Sequence, residues 1–166
     1  MRCKMVCAAA VLAASLLAAG VAKADDWLAY HNDRYGTTID YPDVFTMQRP
    51  PDSDDGRDFK SAAGADFWVA ASYNALDFNV AKYHDFVVKN LDPGAVVTYQ
   101  ARGDNWFVIS GTKGAEIFYE RHMVSHGAQL TESFAISYPA TLKQTYDPIV
   151  ARMAKSFRPG TGFQSP

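Results

Sequence analysis

From Thr37 onward, apolar and polar side chains alternate in short runs broken by glycine and proline, a pattern that predicts strands. Thr37, Ile39 and Tyr41 share one face of the first strand and Thr38 and Asp40 the other, as a period of two requires. Pro42 ends that strand, because it has no N–H to give to a ladder. Val44 to Gln48 reads as its paired strand, stopped by Pro50-Pro51. Trp27 to Tyr30 reads as a short lead-in. Phe59 to Ser61 and Asp66 to Tyr73 flank the turn signal Ala63-Gly64 and predict a hairpin. In its second arm Phe67, Val69, Ala71 and Tyr73 lie on one side, with Trp68 and Ala70 on the other. Apolar residues on both faces predict a sheet covered on both sides at that point.

The period then changes. Val80, Tyr83, Val87 and Leu91 recur at helical spacing, with Phe86 beside them, so a helix is predicted from a cap at Asp77 or Asn79 to about Leu91. Asp92-Pro93-Gly94 stops it. Alternation returns in Val96 to Arg102, Trp106 to Ser110, Glu116 to Ser125 and Gln129 to Ser137, separated by turn residues, which predicts an antiparallel meander. The last element is a helix carrying Ile149, Val150, Met153 and Phe157 on its inner stripe, with Asp147 read as the N-cap and Pro148 as its first residue.

The N-terminus has a different composition. Residues 1–24 combine basic Arg2 and Lys4, an apolar run from Val6 to Val21, and Ala22-Lys23-Ala24 before Asp25. That is the layout of a cleaved export signal, and the product expected is periplasmic or secreted. Both cysteines, Cys3 and Cys7, lie inside it, so a processed chain has neither a disulfide nor a cysteine-based metal or redox site. Residues 25–158 are read as one domain, and 159–166 as a disordered tail. Removing Arg2, Lys4 and Lys23 from the sixteen basic residues leaves 13 against 18 acidic ones, a net charge of −5 with neutral histidine. An acidic chain without basic clusters is a poor ligand for nucleic acid or for an anionic membrane.

The opening motif, Tyr35-Gly36 followed by Ile39-Asp40-Tyr41-Pro42, resembles the first strand of the PsbP/Mog1-like family. Tyr146-Asp147-Pro148-Ile149-Val150 with Ser156-Phe157 is similar to the closing helix of its exported bacterial members. The resemblance implies an α+β fold, an α/β/α sandwich whose antiparallel sheet of about six or seven strands is flanked by helices. It also implies a binding or assembly role, mostly non-enzymatic, rather than a particular set of site residues.

Candidate chemistry is sparse. No nucleophile elbow, phosphate loop, dinucleotide fingerprint or zincin motif is present, and nothing calls for a cofactor. A serine–histidine–aspartate set would have to be assembled by the fold from residues such as Ser72, His84 and Asp85. Glu120, His122 and His126 share a strand face, but the two imidazoles stand about 13 Å apart along an extended chain, too far for one ion. The acidic loop Asp52 to Gly56 lacks the spacing of an EF-hand. The residues best suited to a ligand or partner are Trp68, Tyr73, Trp106, Tyr119, Glu120 and His122. The reading that follows is an exported, monomeric, non-catalytic module that meets a protein partner in the cell envelope. A small-ligand binder with an aromatic cleft between the sheet and the 79–91 helix is the alternative, and a hydrolase is a third.

Overall fold

The structure, a computed structural model, describes residues 26–160. The export signal assigned to residues 1–24 and the end of the tail, 161–166, lie outside the described residues. Nine strands and two helices follow in the order β1 (Trp27–His31), β2 (Thr38–Pro42), β3 (Phe45–Met47), β4 (Gly56–Ser61), β5 (Asp66–Tyr73), α1 (Val80–Lys89), β6 (Ala95–Arg102), β7 (Trp106–Lys113), β8 (Glu116–Ser125), β9 (Leu130–Pro139) and α2 (Lys143–Ser156). Seven strands form one antiparallel sheet in the order β3-β4-β5-β9-β8-β7-β6, and β1 and β2 form a separate hairpin.

The hairpin corrects two expectations. Trp27 to His31 is a strand rather than a lead-in, and it pairs with β2 from Trp27↔Pro42 to His31↔Thr38. The segment after Pro42 pairs with β4 instead of β2, with Phe45 opposite Ser61. Pro42-Asp43 therefore passes the chain from one sheet to the next, although it reads like a hairpin turn. Gly36, at φ 77°, supplies the left-handed residue that the turn between β1 and β2 needs. The hairpin closes on the chain end: Arg158 bridges Thr38, and Gly160 lies against Gly36.

The meander matches expectation, with β7 and β9 running farther than their sequence signals reach. Asn79 caps α1, its side chain accepting from the Lys82 amide. The second helix starts earlier than expected. It begins at Lys143, after a 3-10 turn at Ala140–Leu142, and Pro148 sits inside it. Pro148 removes one backbone bond. The first turn is held nonetheless, by Tyr146 stacked on Tyr138 at 5.1 Å and by Lys143 paired with Asp147.

The two faces of the large sheet are covered differently. On one, the hairpin and α2 close over an aromatic core that contains Phe45, Phe59, Phe67, Phe134 and Tyr138. Phe59 and Phe67 stack at 4.1 Å, and Phe45 meets Phe67 edge-on at 4.9 Å. On the other face α1 covers Phe107, Ile109 and Phe118 with Val80, Tyr83, Val87 and Leu91. Those three covered residues belong to β7 and β8 alone.

A trough beside the first helix

Each row of side chains on the α1 face can be read across the strands from their register. One row runs Asp58, Trp68, Ala135, Glu120, Ile109. The next towards one end runs Lys60, Asp66, Ser137, Phe118, and the next towards the other runs Gly56, Ala70, Ser133, His122, Phe107. Central strand β9 thus presents Thr131, Ser133, Ala135 and Ser137 to this face, all small, and Leu130, Glu132, Phe134, Ile136 and Tyr138 to the other. Ser133 lies under α1, against Tyr83, while Ala135 and Ser137 line the open space beside the helix. The result is an open trough of about 700 Å³, floored by β9 and walled by α1 on one side and by β4 and β5 on the other.

Two aromatics stand at its walls. Trp68 is 38% exposed and Phe86 44% exposed, values that decide a question left by the sequence. The apolar residues on both faces of β5 predicted a sheet covered on both sides, but Trp68 has no helix above it. Phe86 belongs to α1 and packs at a tilt against Phe78, with ring centroids 5.1 Å apart.

At the α1 side of the floor the polar groups form a connected string. Tyr83 Oη lies 2.9 Å from Ser133 Oγ, Ser133 Oγ 2.7 Å from His122 Nδ1, and His122 Nε2 2.9 Å from Glu120 Oε2. With an ionised Glu120 the string has one consistent direction: Nε2–H donates to the carboxylate, Ser133 donates to Nδ1, and Tyr83 donates to Ser133. Burial raises the Tyr83 hydroxyl above its usual range, against the opposing effect of hydrogen bonds to Ser133 and Thr131, so the tyrosine keeps the proton it donates. His122 is further held by stacking on Phe107 at 4.7 Å and by the edge of Tyr83. The string fixes α1 to the sheet and orients the Glu120 carboxylate, half-buried on the trough floor.

A serine, a histidine and a glutamate in hydrogen-bonded order resemble a hydrolytic set, but the serine is enclosed. Ser133 is 4% exposed, and its hydroxyl is shared between His122 and Tyr83. It is a structural link. Ser72, His84 and Asp85 do not form a triad either: His84 Nδ1 meets Asp85 at 3.2 Å, but its Nε2 turns to Gln100 at 2.7 Å and Ser72 meets Thr131 at 3.0 Å.

Of the six residues singled out from the sequence, the structure brings Trp68, Glu120 and His122 together on the trough face. Tyr73, Trp106 and Tyr119 occupy the opposite face: Tyr73 meets Tyr35 edge-on at 5.5 Å, Trp106 lies under the Arg121 guanidinium at 4.6 Å, and Tyr119 packs on Phe134. His126 starts a 3-10 turn beyond the end of β8, away from the strand face it was assigned to. Among the described residues no group of three or more His, Cys, Asp or Glu side chains is placed to hold a metal ion. The acidic loop is tied down by other means: Asp54 accepts from Arg57 at 3.2 Å, and its carbonyl accepts from Asn32 at 2.9 Å. Ala135, Ser137 and Phe86 are trough residues that sequence reasoning did not single out as site residues, and neither was Ser133 beneath them. The signal was present in β9, whose alternate positions are uniformly small.

No family model matches the sequence, and no curated protein matches it. Solved structures do. Cyanobacterial PsbP (CyanoP) from Synechocystis sp. PCC 6803 superposes with a TM-score of 0.60 at 13% identity, covering 88% of this chain and 98% of that one. The fold is PsbP/Mog1-like. The Ran-binding protein Mog1p of Saccharomyces cerevisiae superposes with a TM-score of 0.56 at 11% identity, covering 80% of this chain and 95% of its own. A Mog1 point variant gives the same values. At these identities the likeness is one of PsbP/Mog1-like architecture, and the trough has to be interpreted from its own residues. Among the described residues no helix is long and apolar enough to cross a membrane.

Proposed function

We propose that this protein is an exported, non-catalytic binding module that works through protein–protein contacts in the cell envelope, with the trough beside α1 as its docking surface. The observation that carries the reading is the open trough itself, floored in part by the small Ala135 and Ser137 of β9 and flanked by the half-open rings of Trp68 and Phe86. Exposed aromatics over a small-residue floor are what an inserted side chain needs from an interface. The enclosure of Ser133 favours binding over hydrolysis. The yeast protein of this fold is a Ran-binding protein, which supports a protein-binding use of the scaffold without naming a partner for this chain.

A small-ligand reading has one observation in its favour: a volume of about 700 Å³ is within the range of small-molecule sites. The trough is open rather than enclosed, however, and a small ligand would keep much of its surface in water. A photo-crosslinking residue placed at Trp68 in the full chain, expressed in its own envelope, separates the readings. The expected result is one discrete protein adduct, reproduced by reciprocal pull-down and absent when the crosslinker is placed at exposed Leu28 on the other side of the molecule. Equal adducts at both positions, or none at Trp68, would remove the protein-docking reading.

A further inference from the structure

We infer that the trough accepts a cationic, lysine- or arginine-bearing segment of its partner, with Glu120 as the carboxylate that receives the charge. The inference rests on the docking reading above and adds the chemistry of the occupant. Five carboxylates line the trough: Asp58, Asp66, Asp92, Glu116 and Glu120. Its two lysines are Lys60 and Lys113, of which Lys113 is already paired with Asp92, and both ring nitrogens of His122 are taken up by Ser133 and Glu120. That leaves four acids facing Lys60, which stands directly opposite Asp66. An anionic occupant would meet repulsion along the trough, and a purely apolar one would desolvate these carboxylates without repayment.

The apolar residues fit the same occupant. Lysine and arginine lay their methylene stems on apolar surface while the charged head reaches a polar group, and both heads are attracted to aromatic faces. Trp68 and Ala135 provide that surface in the same row as Glu120. Glu120 is prepared for the role. His122 takes up Oε2, and is itself held by Ser133 and Tyr83, so the carboxylate cannot turn freely while Oε1 stays available to the trough. A pre-oriented acceptor costs less ordering on binding than a free one. Asp58, Asp66 and Glu116 also line the trough, from three different strands, and carboxylates spread in this way suit an extended peptide with several bases better than a single small amine.

The test is a titration of the ¹⁵N-labelled chain with three short blocked peptides of one length. The first alternates leucine with lysine and arginine, the second carries glutamate in place of every base, and the third carries glutamine. The expected result is that the basic peptide shifts the amides of Trp68, Ala135 and Glu120 and the Trp68 indole, at least about tenfold more tightly than the other two. Raising salt from about 50 mM to about 500 mM weakens it, since the charges are only partly buried. Glu120→Gln weakens the basic peptide about fivefold to tenfold. Asp66→Asn, at an exposed position, weakens it about twofold to threefold and controls for any disturbance of the His122 string. If the neutral or acidic peptide occupies the trough equally well, the cationic assignment is overturned while the docking reading stands on its crosslink at Trp68. If the basic peptide shifts amides spread over the surface, or none in the trough, the assignment is overturned as well.

Discussion

The two faces of the large sheet solve the same problem, covering a seven-stranded layer, with opposite allocations of side-chain volume. The face under α2 and the β1–β2 hairpin is filled by aromatic rings in contact, and Phe59, Phe67 and Phe134 are removed from water. The face under α1 has a close-packed core only where the helix lies, and beside it β9 offers the small Ala135 and Ser137 while Trp68 of β5 stands partly in water. A difference in what covers each face follows from a difference in one strand. Every inward residue of β9 towards α2 is large or buried and charged, and every residue towards α1 is small. The first face makes the fold stable, and the second leaves a surface that stability does not require.

The largest effect expected from that contrast comes from Phe134→Ala. Phe134 is fully buried between Tyr119 and Phe157, and truncation should cost about 3–5 kcal/mol, measured by urea unfolding. Trp68→Ala removes a larger side chain from the other face, yet should cost about 1 kcal/mol or less, because the ring is already in part solvated. Equal losses at the two positions would end the distinction between a load-carrying face and a free one.

Alkaline pH gives a second, smaller contrast. Tyr138 is pushed up to about 12, chiefly by burial and then by the charge of Asp147 and the hydrogen bond to it, and burial also raises Tyr35, Tyr41 and Tyr119. All four belong to the α2 side; Tyr83 is the raised tyrosine of the α1 side. For a folded-state value raised above the unfolded value of about 10, the stabilising contribution is complete below pH about 10. It is lost as the pH rises through the folded value. Urea midpoints should therefore hold to about pH 10 and fall towards pH 12, and Tyr138→Phe should make that fall shallower. An unchanged slope in the variant would show that Tyr138 is not among the groups responsible.

Each covering element is also tied to the sheet by a buried hydroxyl, and the two ties differ in strength. On the α2 side Thr37 donates to Glu132 Oε1 at 2.7 Å, and Glu132 is fully buried, its Oε2 having no hydrogen-bond partner among the described residues. Thr37→Val strips that carboxylate of a bond it cannot replace and should cost about 1–3 kcal/mol. On the α1 side Tyr83→Phe leaves Ser133 still bonded to His122, so the loss should be about 1 kcal/mol. Hydrogen exchange should further show the α1 amides opening faster in the second variant, while those of the β1–β2 hairpin keep their protection. Faster exchange in both places would mean that the faces are not independent.

Much of this arrangement was legible in the chain. The Asn79 cap, the Ala63-Gly64 hairpin and the spacing of Val80, Tyr83, Val87 and Leu91 act over a few residues, and each appears where its local chemistry puts it. What was not legible depends on partners distant in sequence. Trp27 to His31 is too short to display an alternation of its own, so its pairing with β2 was invisible, and β2 was assigned to the following segment instead. Pro148 marks a preferred first helical position but does not forbid an interior one, and the stack of Tyr146 on Tyr138 decided the matter. The trough was half visible. Trp68 was singled out for a ligand or partner and read as lying on a covered face, but whether anything covers it depends on the length of α1 and on its neighbours Ala135 and Ser137. Three of the six residues singled out share the α1 face because alternation along β5 and β8 is a local property. The other three fall on the opposite face for the same reason.

The smallest stability effect should come from filling the trough itself. Ser137 is half-buried on its floor between Asp66 and Phe118, and Ser137→Leu adds three carbons to open space without displacing a core side chain. Serine-to-leucine at such a site should change stability by about 0.5 kcal/mol or less in either direction. The same substitution occupies the gap that the trough offers to a partner, so the crosslink from Trp68 should be lost while the urea midpoint stays in place. A filled trough that still gives the adduct would mean that the partner seats on the rim, on Trp68 and Phe86, and that the small residues of β9 are a packing solution rather than a binding one. A filled trough that unfolds the protein would show instead that this face has no spare volume, and the contrast between the two sides of the sheet would be lost with it.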